Sequence, residues 1–185
     1  MLPVTSEEQI KELERSRALV GIFLDRAYRL DQVEKILSIR EGFDIHARDS
    51  FHLLIPMKAD ESAGGAGYEL ISSSSPERYN RDLAGVFIER LEIQESKLPC
   101  IVFRATGNAF FCIELGDKDW RTSELAIREI ATIAGQCKGD GPTDPDEFRK
   151  HVNQRVAKYL RTRGLLSTAR SFWPAVTAFV TNFAF

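Results

Sequence analysis

Hydrophobic residues fall along the chain in two patterns, continuous apolar runs and helical spacing. The run ALVGIFLD (18–25) predicts a buried strand because it is short, apolar and contains β-branched residues. The run FHLLIPM (51–57) predicts a second strand, in which Pro56 limits pairing near the end. Two further runs, at 99–104 and 109–115, flank a Thr-Gly-Asn turn. Glycine and asparagine tolerate the positive φ angles of a tight turn, so this pair predicts a β-hairpin.

Between the strands, apolar residues recur every three or four positions, as on one face of a helix. Start signals precede several of these segments, most clearly Asp144, Pro145 and Glu147, which supply an N-cap, a first-turn proline and a third-position glutamate. Helices are therefore predicted at about 6–17, 30–42, 76–91, 124–137 and 145–162.

The order of the predicted elements limits the fold class. A strand, a helix and a second strand over 18–57 require a parallel pair joined by a right-handed crossover. The hairpin at 99–115 adds an antiparallel pair. We therefore expect an α/β fold, a mixed parallel and antiparallel sheet of about four strands with helices on both faces, followed by C-terminal helices.

This succession of strand, helix, strand, helix, hairpin and helix over residues 18–137 resembles the thioredoxin fold. Pro99, just before the third strand, stands where that family keeps a cis-proline. The resemblance implies a Cys-x-x-Cys motif after the first strand, but the sequence there is DRAYRLDQ, without cysteine. The resemblance therefore implies a shared fold without disulfide exchange. The isomer of the Leu98–Pro99 bond is not readable from the sequence.

The composition is that of a water-soluble globular chain of 185 residues, 28% charged and 43% hydrophobic. Three cysteines favour a reducing compartment over a disulfide framework, so we expect a cytoplasmic protein. Cys100 and Cys112 lie within apolar runs, which predicts structural cysteines. The acidic, amphipathic N-terminal segment is unlike a signal peptide, and no apolar run approaches the ~20 residues of a membrane span.

The net charge of −2 conceals a strong asymmetry. Residues 148–185 contain no acidic residue, and residues 1–147 carry 18 basic and 27 acidic residues, a net charge of −9. We therefore divide the chain into an α/β domain at 1–141 and a basic helical extension at 142–185. The basic residues of the extension are Arg149, Lys150, Arg155, Lys158, Arg161, Arg163 and Arg170.

The C-terminal extension is the most informative feature for function. A basic amphipathic helix suits an acidic partner or an anionic surface, and the chain continues into the aromatic residues Phe172, Trp173 and Phe179. An exposed aromatic cluster of this size forms a sticky patch, so we expect these side chains to be buried. They pack against the protein's own core, against another protein chain or a second copy, or against lipid. We predict a non-catalytic interaction or regulatory module that docks a partner or forms a homo-oligomer, without a cofactor. The acidic body disfavours nucleic acid.

The alternative is a ligand-binding or hydrolytic domain. Asp25 ends the first predicted strand, where α/β sheets bind ligands, and Asp49 and His52 are its candidate partners, with loop 58–75 as a lid. His46 and His52 are also candidates for a metal site with nearby aspartates, although their spacing matches no recurring metal-ligand motif. No hydrolase motif is present in the sequence, which favours the interaction hypothesis.

Overall fold

The computed structural model describes residues 1–26, 30–58, 76–104, 110–116 and 119–167. Six strands lie in these ranges: Leu2–Val4 (β1), Leu19–Leu24 (β2), Phe51–Pro56 (β3), Cys100–Arg104 (β4), Phe110–Glu114 (β5) and Leu166–Ser167 (β6). The α-helices are Glu7–Glu14 (α1), Asp31–Ser38 (α2), Arg40–Ala47 (α3), Arg81–Arg90 (α4), Trp120–Asp140 (α5) and Pro145–Thr162 (α6). Short 3-10 turns occupy Pro76–Arg78 and Glu95–Lys97.

The strands form one mixed sheet in the order β1-β3-β2-β4-β5-β6. Strands β1, β3 and β2 are parallel, and β4, β5 and β6 each run antiparallel to the preceding neighbour. All six residues of β2 are buried, so both faces of the central sheet are covered. The mixed α/β class is therefore confirmed.

The expectation of about four strands was too low for the described part of the chain. The two additional strands lie at the edges of the sheet and have three and two residues. Neither is long enough to show alternation in the sequence, and Pro3 within β1 removes a backbone donor from that strand. The predicted helix ending at Gly42 is instead two helices, α2 and α3, with the break at Ile39 and Gly42 inside α3.

A row of neighbouring aromatic rings fills one side of the core. The ring centroids of Phe43, Phe51, Phe103 and Phe111 follow one another at 5.0, 5.8 and 5.2 Å. Gly21 of β2 lies beneath this row, where a Cβ atom would come within 2.9 Å of the Phe103 ring. A side chain at position 21 would therefore displace the rings.

The strand β4 begins directly after Pro99, and the Leu98–Pro99 peptide bond is cis. Next to it, Cys100 of β4 pairs with Leu24, the last residue of β2. The turn between β4 and β5, like loop 59–75, lies outside the described residues.

Candidate functional site

Helix α6 begins at a strong N-terminal cap. The carboxylate of Asp144 accepts hydrogen bonds of 3.0 Å from the backbone N–H groups of Asp146 and Glu147, and Pro145 occupies the first turn. These contacts satisfy backbone donors that the helix itself leaves free. They are the contacts that the sequence predicted for this helix.

Arg17 ties the start of α6 to the sheet. This residue precedes β2, and its guanidinium group donates to the backbone oxygens of Lys138 at 2.8 Å, Gly141 at 2.9 Å and Pro142 at 2.7 Å. The guanidinium carbon also lies 5.5 Å from the centre of the Phe148 ring. One cation therefore holds the end of α5, the connection and the first turn of α6 in place. No sequence motif marks Arg17 for this role.

One face of α6 is part of the hydrophobic core. Four apolar residues spaced by four positions have no exposed surface: Phe148, Val152, Val156 and Leu160. The helix packs against α5, β2 and β6. The opposite face of α6 is therefore turned away from the rest of the protein.

That outer face carries a line of exposed polar residues, which we call the basic stripe: Lys150, Gln154, Lys158 and Arg161. Their spacing of four, four and three positions keeps them on one side of the helix, over about 16 Å at 1.5 Å per residue. Among the described residues, Lys150, Lys158 and Arg161 take part in no ion pair. The stripe therefore presents three cations to solvent in a fixed line.

The other predicted basic residues of α6 make local contacts instead. Arg149 forms an ion pair with Asp146 one turn earlier. Arg155 reaches α5, where its Nη2 atom lies 3.0 Å from the side-chain oxygen of Gln136. Arg163 lies over a tyrosine ring of the same helix, 5.9 Å from its centre. The structure thus separates the six predicted cations into three within the stripe and three engaged locally.

The predicted aromatic contacts Phe172, Trp173 and Phe179 lie outside the described residues, which end at 167. Gln154 is the member of the basic stripe that was not predicted from the sequence. It is four residues from both Lys150 and Lys158, and this helical spacing indicates that it lies on the same face as the two lysines.

Asp25 lies at the carboxyl end of β2, as expected, and is only 9% exposed. Its backbone N–H donates to the hydroxyl of Tyr79 at 2.9 Å, and that hydroxyl donates to the backbone oxygen of Asp25 at 3.0 Å. The adjacent Arg26 pairs with Glu95 at 2.8 Å and Glu89 at 3.8 Å. These contacts fix the end of β2 to α4 and its flanking turns.

Asp49 and His52 do not join Asp25 in a cleft. His52 pairs with Val20 in the parallel register, and Asp25, which follows β2, lies five residues beyond Val20. At about 3.3 Å per residue, roughly 16 Å of strand separates the two positions. Asp49 precedes β3 and forms an ion pair with Lys138 at 2.7 Å. The alternative site is therefore divided between opposite ends of the sheet.

The surroundings of Asp49 and His52 lower the pKa of both groups. The hydrogen bond from Lys138 lowers the pKa of Asp49, although this side chain is 80% exposed. Burial lowers the pKa of His52, and the N-terminal ammonium group of Met1 and the charge of Lys138 lower it further. His52 is therefore a half-buried imidazole that favours its neutral form.

The predicted metal ligands also do not converge. His46 is exposed on α3, and Asp44 binds the N-terminal ammonium group and the Nε atom of Arg40, the latter at 3.5 Å. Asp49 precedes β3, and His52 is the second residue of that strand. Within the described ranges, no group of three or more metal-ligating side chains is close enough to hold an ion.

The three cysteines are buried free thiols in β4, β5 and α5. A hydrogen bond with Cys112 and burial raise the pKa of Cys100, and burial raises the pKa of Cys137. A reactive cysteine needs the opposite shift, toward the thiolate. The geometry is that of structural cysteines.

Comparison with protein-family models, with curated proteins and with solved structures finds no match for this chain. Across the part of the chain that the structure describes, none of the helices has the length and apolar character needed to cross a membrane.

Proposed function

We propose that this protein is a non-catalytic interaction module that binds an acidic protein surface through the basic stripe of α6. The observation that carries the proposal is the line of three exposed cations at Lys150, Lys158 and Arg161, which form no ion pair within the described ranges. The helix beneath them is held by buried apolar residues and by Arg17. Because the helix is already ordered, binding costs the conformational entropy of the three side chains but not that of the backbone.

We infer a thioredoxin-like arrangement for the scaffold. The succession of β2, α2 and α3, β3, α4, the β4–β5 pair and α5 supports it, as does Pro99 directly before β4. The buried thiols, with their raised pKa values, favour a binding role for this scaffold over a redox role. Helix α6, which carries the basic stripe, follows the segment that resembles the thioredoxin fold and is an addition to that fold.

The size of the basic stripe favours a protein partner over a membrane or a nucleic acid. Three cations span about 16 Å, and residues 1–147 carry a net charge of −9. A membrane or a long duplex extends beyond the stripe and approaches this acidic body, which repels it. A protein surface patch of similar length meets the stripe alone.

The test uses a fluorescent twelve-residue oligoglutamate as the acidic probe, with fluorescence anisotropy as the readout at low salt. Replacing Lys150, Lys158 and Arg161 with glutamine should weaken binding at least tenfold, because it removes all three charges of the stripe. A matched control replaces three exposed or partly exposed cations elsewhere, Lys11, Arg15 and Arg121, with glutamine.

The control variant carries the same net charge as the stripe variant, so equal weakening by both would show a general charge effect and overturn the proposal. Circular dichroism of both variants verifies that they fold. Vesicles of phosphatidylserine and phosphatidylcholine and a 20-base-pair duplex are measured in parallel. If either the vesicles or the duplex bind more tightly than oligoglutamate, and this binding depends on the stripe, the partner is that surface and the proposed protein partner is wrong.

A further inference from the structure

Leu125 is an exposed apolar residue on the outer side of α5. Its side chain is 58% exposed, and the other exposed large apolar side chains in the described ranges, Ile45 and Val86, lie on α3 and α4. One turn before and one turn after Leu125, the exposed side of α5 carries Arg121 and Glu129, whose opposite charges offset each other. Leu125 is therefore an apolar position in surroundings of little net charge.

Leu125 lies beside the C-terminal end of α6, because α5 and α6 pack against each other in opposite directions. Arg155, in the middle of α6, contacts Gln136 near the end of α5, at 3.0 Å. One turn later on α6, burial raises the pKa of Tyr159, and the nearby carboxylate of Glu129 raises it further. Glu129 comes about two turns before Gln136 on α5, so the helices are antiparallel. Leu125, one turn before Glu129, is level with the end of α6.

The same end of α6 is rich in cations. Lys158 and Arg161 belong to the basic stripe, and the guanidinium carbon of Arg163 lies 5.9 Å from the centre of the partly exposed Tyr159 ring. Packed helices lie about 8–10 Å apart, so one bound segment spans both the apolar Leu125 on α5 and the cations on α6. A single exposed apolar residue is ordinary, but one beside a line of cations offers the same partner a second kind of contact.

We propose that the partner of the basic stripe is an acidic segment that also carries a large apolar side chain, which packs on Leu125 and the adjacent Tyr159 ring. This inference rests on the proposed function and adds an apolar contact to it. Exposed ion pairs alone contribute little affinity, whereas apolar side chains that pack together remove surface from water. The charges therefore orient the segment, and the contact with Leu125 tightens its binding.

Two fluorescent peptides test the apolar contact on the full chain, with anisotropy as the readout at low salt. Both contain twelve glutamates with one residue inserted at the centre, tryptophan in one peptide and serine in the other, so their charges are equal. We expect the wild type to bind the tryptophan peptide about fivefold more tightly than the serine peptide, because tryptophan buries apolar surface on Leu125. L125Q should lose this preference and still bind the serine peptide like the wild type.

I45Q is the matched control, because Ile45 is 71% exposed but lies on a different helix, α3, so this variant should keep the full preference. Circular dichroism verifies that both variants fold. A wild type that binds the two peptides equally overturns the inference, as does a preference that L125Q retains or that both variants lose equally. If the serine peptide still requires the basic stripe in these cases, the proposed function stands and only the apolar contact is wrong. If it does not, both proposals fail.

Discussion

Replacing Phe148 with alanine tests whether the buried face of α6 belongs to the hydrophobic core of the protein. Phe148 has no exposed surface and lies beneath the guanidinium group of Arg17. Removing a buried phenylalanine ring costs about 3–5 kcal/mol of stability, through lost burial and the cavity left behind. For a chain of this length, this corresponds to a fall in melting temperature of about 10 °C.

Urea denaturation of the full chain, followed by circular dichroism and by tryptophan fluorescence, measures this loss. Gln154→Ala on the exposed side of the same helix is the control and should change stability by less than about 0.5 kcal/mol. The reasoning fails if Phe148→Ala costs less than about 1 kcal/mol. It also fails if α6 unfolds in an earlier, separate transition, because that result would indicate an independent domain ending at residue 141.

Two further predictions concern buried polar groups. Because the pKa of His52 lies below its ordinary value of 6.5, the unfolded chain binds this proton more readily than the folded protein, so His52 lowers stability as the pH falls below 6.5. His52→Gln should therefore lose less stability than the wild type between pH 7 and pH 5 in urea titrations, and an equal loss in the two proteins would refute this role of the His52 imidazole. Tyr79→Phe removes both hydrogen bonds to the backbone of Asp25 and should cost about 1–3 kcal/mol, well above the cost of Tyr159→Phe, and equal costs would refute the role of that hydroxyl.

The central strands and the long C-terminal helix could be predicted because their signals are local. Apolar runs marked β2 to β5, and the cap at Asp144 with Pro145 marked the start of α6. The edge strands β1 and β6 could not be predicted, because two or three residues carry no periodicity and gain their order from pairing. Arg17 was missed because its partners are backbone oxygens more than 120 residues away.

The error at the alternative site had a physical cause that the sequence already contained. In a parallel pair, residues that follow one strand and residues that begin the next lie at opposite ends of the sheet. Asp25 follows β2, whereas Asp49 precedes β3 and His52 lies near its start. Residues that follow Pro56, the last residue of β3, lie at the same end of the sheet as Asp25, and Tyr79, which comes after that strand, contacts it. Composition grouped these side chains, but topology separates them.

Binding by the basic stripe on the outer face of α6 depends on the buried apolar face of the same helix. An isolated cationic helix of 18 residues is marginally stable in water, and exposed ion pairs contribute little when flexible side chains and a mobile backbone must both be ordered. Burial of Phe148 and its neighbours orders the helix during folding, before any partner arrives. Loosening the buried face should therefore weaken binding by the basic stripe even though no charge changes. Phe148→Ala, measured with oligoglutamate under conditions where the protein remains folded, should bind less tightly than the wild type, and equal affinities would show that the rigidity of α6 is irrelevant to recognition.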